Sequence, residues 1–142
     1  MVIVLDANVL VKLFIDEPLS DRAEAVVSEH SLILAPELVR IEVAGAITRK
    51  VRQDELPRAA AEEKLCLWHE FLRLGNVHLI PNGEIERAAE QFSLELRHPL
   101  ADCLYLAVAE QHPAPLVTAD KPFLDALDGR FPHVCHLSSV RV

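Results

Sequence analysis

Short, unbroken apolar runs recur along the chain, each followed closely by a stretch with helical spacing. This alternation restricts the fold more than any other feature. Val2-Ile3-Val4-Leu5, Leu32-Ile33-Leu34-Ala35, residues 77–80 and Leu116-Val117-Thr118 are four such runs, and residues 134–137 offer a fifth. They have strand length and are rich in β-branched residues, as strands buried on both faces are. Between them, apolar residues recur at helical intervals. Residues 8–14 make a short helix ended before Pro18, and residues 21–29 a second, with Ala23, Val26 and Val27 on one face and Ser20 as N-cap. A helix from residue 36 or 37 to 52 turns Leu38, Ile41, Gly45 and Ile47 inward, and one over 57–74 does so with Leu65, Trp68, Phe71 and Leu72. Gly75-Asn76 stops it, and further helices cover 84–97, 99–111 and 122–127. The alternation predicts an α/β fold, with a central parallel sheet of about five short strands and helices on both faces.

Residues 1–142 fit a single domain of this kind. With 51% hydrophobic residues the chain can build a core without staples. Its three cysteines, Cys66, Cys103 and Cys135, lie far apart and read as buried small hydrophobes in a reducing compartment. The seven histidines show no paired zinc spacing. No apolar run approaches membrane-spanning length. The N-terminus lacks a basic region and a cleavage site, so a cytoplasmic protein is expected. The net charge of −8 argues against a general nucleic-acid coat, which draws its affinity from phosphate neutralisation. It leaves room for a few local cations beside a cleft, and it favours a basic partner.

In open α/β sheets, ligands bind beyond the carboxyl ends of the strands. Asp6 directly follows the first run, and Asp120 stands two residues past Thr118. Either alone is also a plausible turn or N-cap residue. Glu42 and Asp102 are harder to explain, because both stand in apolar company: Glu42 between Ile41 and Val43, Asp102 at the head of residues 100–109. A carboxylate there is unfavourable unless its charge is compensated, by a helix N-terminus, by Arg40 or Arg49, or by an ion. Four carboxylates meeting without a cation would repel one another. An oxygen-rich set suits Mg²⁺ or Mn²⁺. Such an ion positions water, lowers its pKa and stabilises charge on a phosphoryl oxygen, which points to phosphodiester hydrolysis.

Four segments also resemble, in order, the motifs of the PIN-domain ribonucleases: Val4-Leu5-Asp6-Ala7-Asn8, Pro36 to Val43 around Glu42, Pro99 to Ala107 around Asp102, and Leu116-Val117-Thr118-Ala119-Asp120. The resemblance implies that Asp6, Glu42 and Asp102 carry metal and catalysis, with Asp120 completing the pocket. It implies that Asn8 and Thr118 orient carboxylates or waters from behind. Chain size is similar to that of VapC-type toxins, which implies an endoribonuclease acting on RNA, a cognate antitoxin and a homodimer.

Lys12, Lys121 and Arg49, the last within Arg49-Lys50-Val51-Arg52, are candidates for substrate phosphate contacts. The basic cluster is better suited to a helix C-terminus, where the dipole favours cations. Trp68, Phe71 and Phe92 have core spacing and are not read as base-stacking residues. Two other functions fit acids at strand ends: an aspartyl-phosphate phosphoryl-transfer protein, and a non-catalytic binding module of the same fold. The phosphatase form of the first expects a second acid two residues past Asp6, where Asn8 stands. The receiver form wants a pair of acids early and a lysine after a later strand, and Lys121, adjacent to an acid, is badly placed for it.

Overall fold

The first apolar run becomes the middle of the sheet. β1 (Val2–Leu5) lies between β2 (Leu32–Pro36) and β4 (Leu116–Thr118), β3 (Val77–Ile80) flanks β2, and β5 (Val134–His136) flanks β4. All four pairings are parallel, giving the order β3-β2-β1-β4-β5. This structure, a computed structural model, describes residues 1–141. The remaining elements are α1 (Ala7–Leu10) with a 3-10 turn at Val11–Leu13, α2 (Ser20–Glu29), α3 (Val39–Arg52), α4 (Arg58–Arg73), α5 (Asn82–Leu96), α6 (Leu100–Gln111), α7 (Lys121–Leu127) and a 3-10 turn at Leu137–Ser139.

The chain builds outward from β1 through β2 to β3, then crosses back to build β4 and β5 on the other side. Parallel crossovers keep one hand, so α2, α3 and α4, in the two outward connections, belong to one face of the sheet, and α5 and α6, in the returning one, to the other. The reversal sits between β1 and β4. At such a switch point the loops leaving neighbouring strands diverge, and a crevice opens at their carboxyl ends.

α6 is the most deeply packed helix, buried from Cys103 to Ala109 and in contact with β1, β2 and β4. α3 and α4 pack on each other. Trp68 is fully buried, donates from its indole to the Arg40 carbonyl at 3.2 Å, and joins Phe14 and Phe71 in an aromatic cluster. Gly75 adopts φ 77° after α4, a left-handed turn that favours glycine.

Three local expectations are corrected. Ser20 is the first residue of α2, not its cap: its Oγ accepts from Glu17 N and donates to Ile15 O, closing the preceding loop. The buried stripe of α3 is Val39, Val43 and Ile47, while Ile41 is 70% exposed and Gly45 is exposed. The i, i+4 row of β-branched residues sets the buried face. Cys66 is exposed; only Cys103 is fully buried, and Cys135 is half-buried.

Candidate metal centre

Asp6 directly follows β1 and is 3% exposed, an unusual place for a carboxylate. The Thr118 hydroxyl, from the end of β4, donates to its Oδ2 at 2.9 Å. The same hydroxyl oxygen accepts from Asn8 Nδ2 at 3.3 Å and from Asp120 N at 3.1 Å. Asn8 Oδ1 in turn accepts from Ala119 N at 2.9 Å. Asn8 and Thr118 thereby tie the outgoing ends of β1 and β4 together and fix two of the acids.

The other two acids come from helices on opposite faces of the sheet. Glu42 lies in the first turn of α3, half-buried, and its Oε1 accepts from the Tyr105 hydroxyl at 2.6 Å. Tyr105 is fully buried on α6, so α6 orients an acid carried by α3. Asp102 lies in the first turn of α6 with its Oδ2 2.7 Å from His98 Nε2. Asp120 caps α7, its Oδ1 accepting from Phe123 N at 3.3 Å, so the cap reading of this residue holds alongside its place in the cluster.

All four acids line one open cleft of about 650 Å³. Asn8, Lys12 and Arg49 line it too, as do Glu17 and Lys50. Thr118 is buried behind Asp6. Lys121 is exposed at the start of α7 and is not part of the cleft wall. Sequence reasoning missed Glu17 and His98. Glu17 sits in a loop with no periodic pattern, and only its packing brings it to the cleft. His98 stands four residues before Asp102, but outside α6, so helical spacing does not link them.

The electrostatics record the convergence. Burial pushes the Asp6 carboxyl up to about 7; the Thr118 hydrogen bond opposes this, and the charges of Asp102 and Glu42 add to it. Burial also raises Glu42, against its bond from Tyr105 and together with the charge of Asp102. Asp102 is raised by burial, against its His98 bond and together with the Asp120 charge. Asp102 is thus the member that couples to the acids on both sides. Among the described residues no Lys or Arg pairs with any of the four. A divalent cation would supply the missing positive charge, and clustered carboxylate oxygens are the donors such an ion prefers. The donor set fits a divalent metal.

A parallel five-stranded sheet with four carboxylates gathered at its switch point defines an α/β domain with an acidic cleft. The PIN domain family matches residues 3–128, and the chain belongs to this family. Ribonuclease VapC3 of Pyrobaculum aerophilum is 29% identical over 123 residues, spanning 85% of this chain and 91% of that protein. Among solved structures, a toxin–antitoxin complex from Klebsiella pneumoniae superposes with a TM-score of 0.68 at 16% identity, covering 96% of this chain and 98% of that one. VapC20 of Mycobacterium tuberculosis, a toxin that cleaves the sarcin–ricin loop, gives 0.66 at 16% identity over 87% and 94%. At that identity the structural likeness speaks for the fold alone. No described helix is long and apolar enough to cross a membrane.

Proposed function

We propose that this chain is an endoribonuclease, dependent on Mg²⁺ or Mn²⁺, that hydrolyses RNA phosphodiester bonds as the toxin of a toxin–antitoxin pair. One observation carries the catalytic reading: four carboxylates line a single cleft at the sheet's switch point, and among the described residues no Lys or Arg neutralises them. The family and its ribonuclease relative support the same reading.

Asp6, Glu42, Asp102 and Asp120 would hold the metal. Once bound, it supplies Lewis acidity toward a phosphoryl oxygen and lowers the pKa of water. The protein does the positioning. Thr118 keeps one Asp6 oxygen occupied and so presents the other to the cleft, and Asn8 locks the two strand ends that carry Asp6 and Asp120. Glu42 orients the attacking water, its carboxylate fixed by the Tyr105 hydroxyl. Lys12, Lys50 and Arg49 supply phosphate contacts on the cleft wall. Lys121 lies outside that wall and has no part in the proposal. The phosphoryl-transfer alternative lacks its second acid: Asn8 stands there, with its amide bonded to Ala119 and Thr118.

The same reading makes the chain a cytoplasmic protein bound by a cognate antitoxin, which the net charge of −8 suits if the partner is basic. It also pairs the chain with a second copy through its helices. Ile41 on α3 and Leu67 on α4, 70% and 53% exposed, are apolar side chains available for that contact. The test of the activity is RNA cleavage with Mg²⁺, with and without EDTA, by the wild type and Asp6→Asn. Cleavage that needs the ion and is lost in the variant is expected. Equal cleavage by the two proteins defeats the assignment.

A further inference from the structure

Beside the four acids lies a nitrogen donor. His98 follows Arg97, which ends α5 in a left-handed conformation with φ 54°. His98 N donates to Ser93 O at 3.3 Å, and Ser93 Oγ donates to His98 O at 2.6 Å. The imidazole stacks on Phe123 of α7, with centroids 5.0 Å apart and planes at 23°. Phe123 is fully buried and its backbone N–H is capped by Asp120. One residue thus holds both His98 and Asp120. The ring is fixed by backbone on one side and by an aromatic face on the other, so little ordering remains when a ligand arrives.

His98 Nε2 lies 2.7 Å from Asp102 Oδ2, and ligand atoms of His98, Asp102 and Asp120 all fall within 4.8 Å of one another. With metal–ligand bonds of about 2.1 Å, neighbouring vertices of an octahedron are about 3 Å apart. The nitrogen and the oxygen are therefore spaced nearly as two adjacent ligands of one ion. The Oδ1 of Asp120 is engaged by Phe123 N, which leaves its other oxygen for that ion. Mg²⁺ prefers an all-oxygen shell, whereas imidazole is a ligand for first-row transition ions.

We propose that His98, Asp102 and Asp120 form a mixed nitrogen–oxygen subsite that favours a first-row transition ion over Mg²⁺. This rests on the metal-centre reading above and assigns part of that centre a selectivity which carboxylates alone do not provide. His98 is a ligand in this assignment and not merely a hydrogen-bond partner of Asp102.

Mn²⁺ alone is the probe, added to the EDTA-treated chain and followed by electron spin-echo envelope modulation, with Mg²⁺ titrated separately by calorimetry. Bound Mn²⁺ should show imidazole nitrogen modulation. The pattern should change when histidine nitrogen is isotopically replaced and vanish in His98→Gln. His98→Gln should weaken Mn²⁺ binding about tenfold and Mg²⁺ binding by less than about threefold. Mn²⁺ that binds the wild type without nitrogen modulation overturns the subsite and leaves the carboxylate centre standing. An equal loss of both affinities in His98→Gln overturns it as well, making His98 a support for Asp102. Absence of Mn²⁺ uptake while Mg²⁺ still binds overturns the subsite alone, and absence of both removes the subsite and the metal-centre reading together. Should His98→Gln fold poorly, isotopic labelling of the wild type still decides.

Discussion

The two charged sides of the cleft are stabilised by opposite means. The acids are held by neutral groups or an imidazole: Thr118 on Asp6, Tyr105 on Glu42, His98 on Asp102 and a backbone N–H on Asp120. The lysines already have carboxylates. Lys12 Nζ lies 3.3 Å from Glu17, and Lys50 Nζ lies 3.6 Å from Glu17 and 3.3 Å from Glu55. Glu17 keeps two cations of the cleft engaged, and among the described residues no Lys or Arg reaches the four acids. Had Lys12 paired with Asp6 instead, one of the four acids would already be compensated and an added ion would gain less. A cleft whose lysines are already paired, and whose four acids have no Lys or Arg partner among the described residues, suits an external cation.

The difference between the sides breaks most sharply in activity. Asp6→Asn or Asp102→Asn should lower RNA cleavage on the order of a thousandfold. Lys12→Ala should lower it only about tenfold, mostly through KM. Steady-state cleavage of a labelled RNA measures both. Comparable losses from the two sides would mean that the acids have no special standing.

The next effect is on stability. Asp6 rises from 3.8 to about 7, so the folded chain retains a proton that the unfolded chain has released. Its stabilising contribution is complete below about pH 4 and is lost as pH climbs through about 7, a loss of up to about 4 kcal/mol. EDTA-treated wild type should therefore be less stable at pH 8 than at pH 5 in urea unfolding. Mg²⁺ should flatten the difference, and Asp6→Asn should lack it. Metal-free wild type that grows more stable across this window, relative to Asp6→Asn, would contradict the unpaired state of the acids.

Much of this architecture was legible in the residues. The strands stood out because a parallel sheet buries both faces, and unbroken runs such as Val2 to Leu5 have no other role at that length. The acids stood out for the complementary reason: Asp102 heads a helix buried from Cys103 to Ala109, where an uncompensated carboxylate has no place. What failed were features decided by tertiary packing. Ile41 was expected inward because it is apolar, yet Val39, Val43 and Ile47 form the better row and rotate Ile41 to solvent. Ser20 looked like a cap, but its hydroxyl closes the loop before α2. Glu17 and His98 reach the site only because a loop and a helix end fold back to it, which no local spacing encodes.

Tyr105 tests whether the neutral groups on the acid side matter individually. Tyr105→Phe keeps the ring in the core and removes only the hydroxyl that bonds Glu42. Stability should fall by about 1 kcal/mol, the usual net worth of one hydrogen bond. Cleavage should fall several-fold through kcat, as Glu42 loses its orientation. An unchanged kcat would show that the ion alone orders Glu42.

The smallest effect falls on the other side, and it separates a substrate wall from a purely structural ion pair. Glu17→Gln leaves Lys12 and Lys50 without their shared carboxylate, while Lys50 retains Glu55. Because these groups are partly exposed, stability should change by less than about 1 kcal/mol. If the lysines meet phosphates, removing the competing carboxylate should lower KM for a short RNA about threefold and leave kcat alone. It should also steepen the fall of RNA binding with rising salt, since more counterions are released per bound strand. If instead Glu17 only braces the loop ahead of α2, KM should stay put and the salt dependence should not move. The basic side would then be scaffold, and phosphate recognition would rest on Arg49 and the metal.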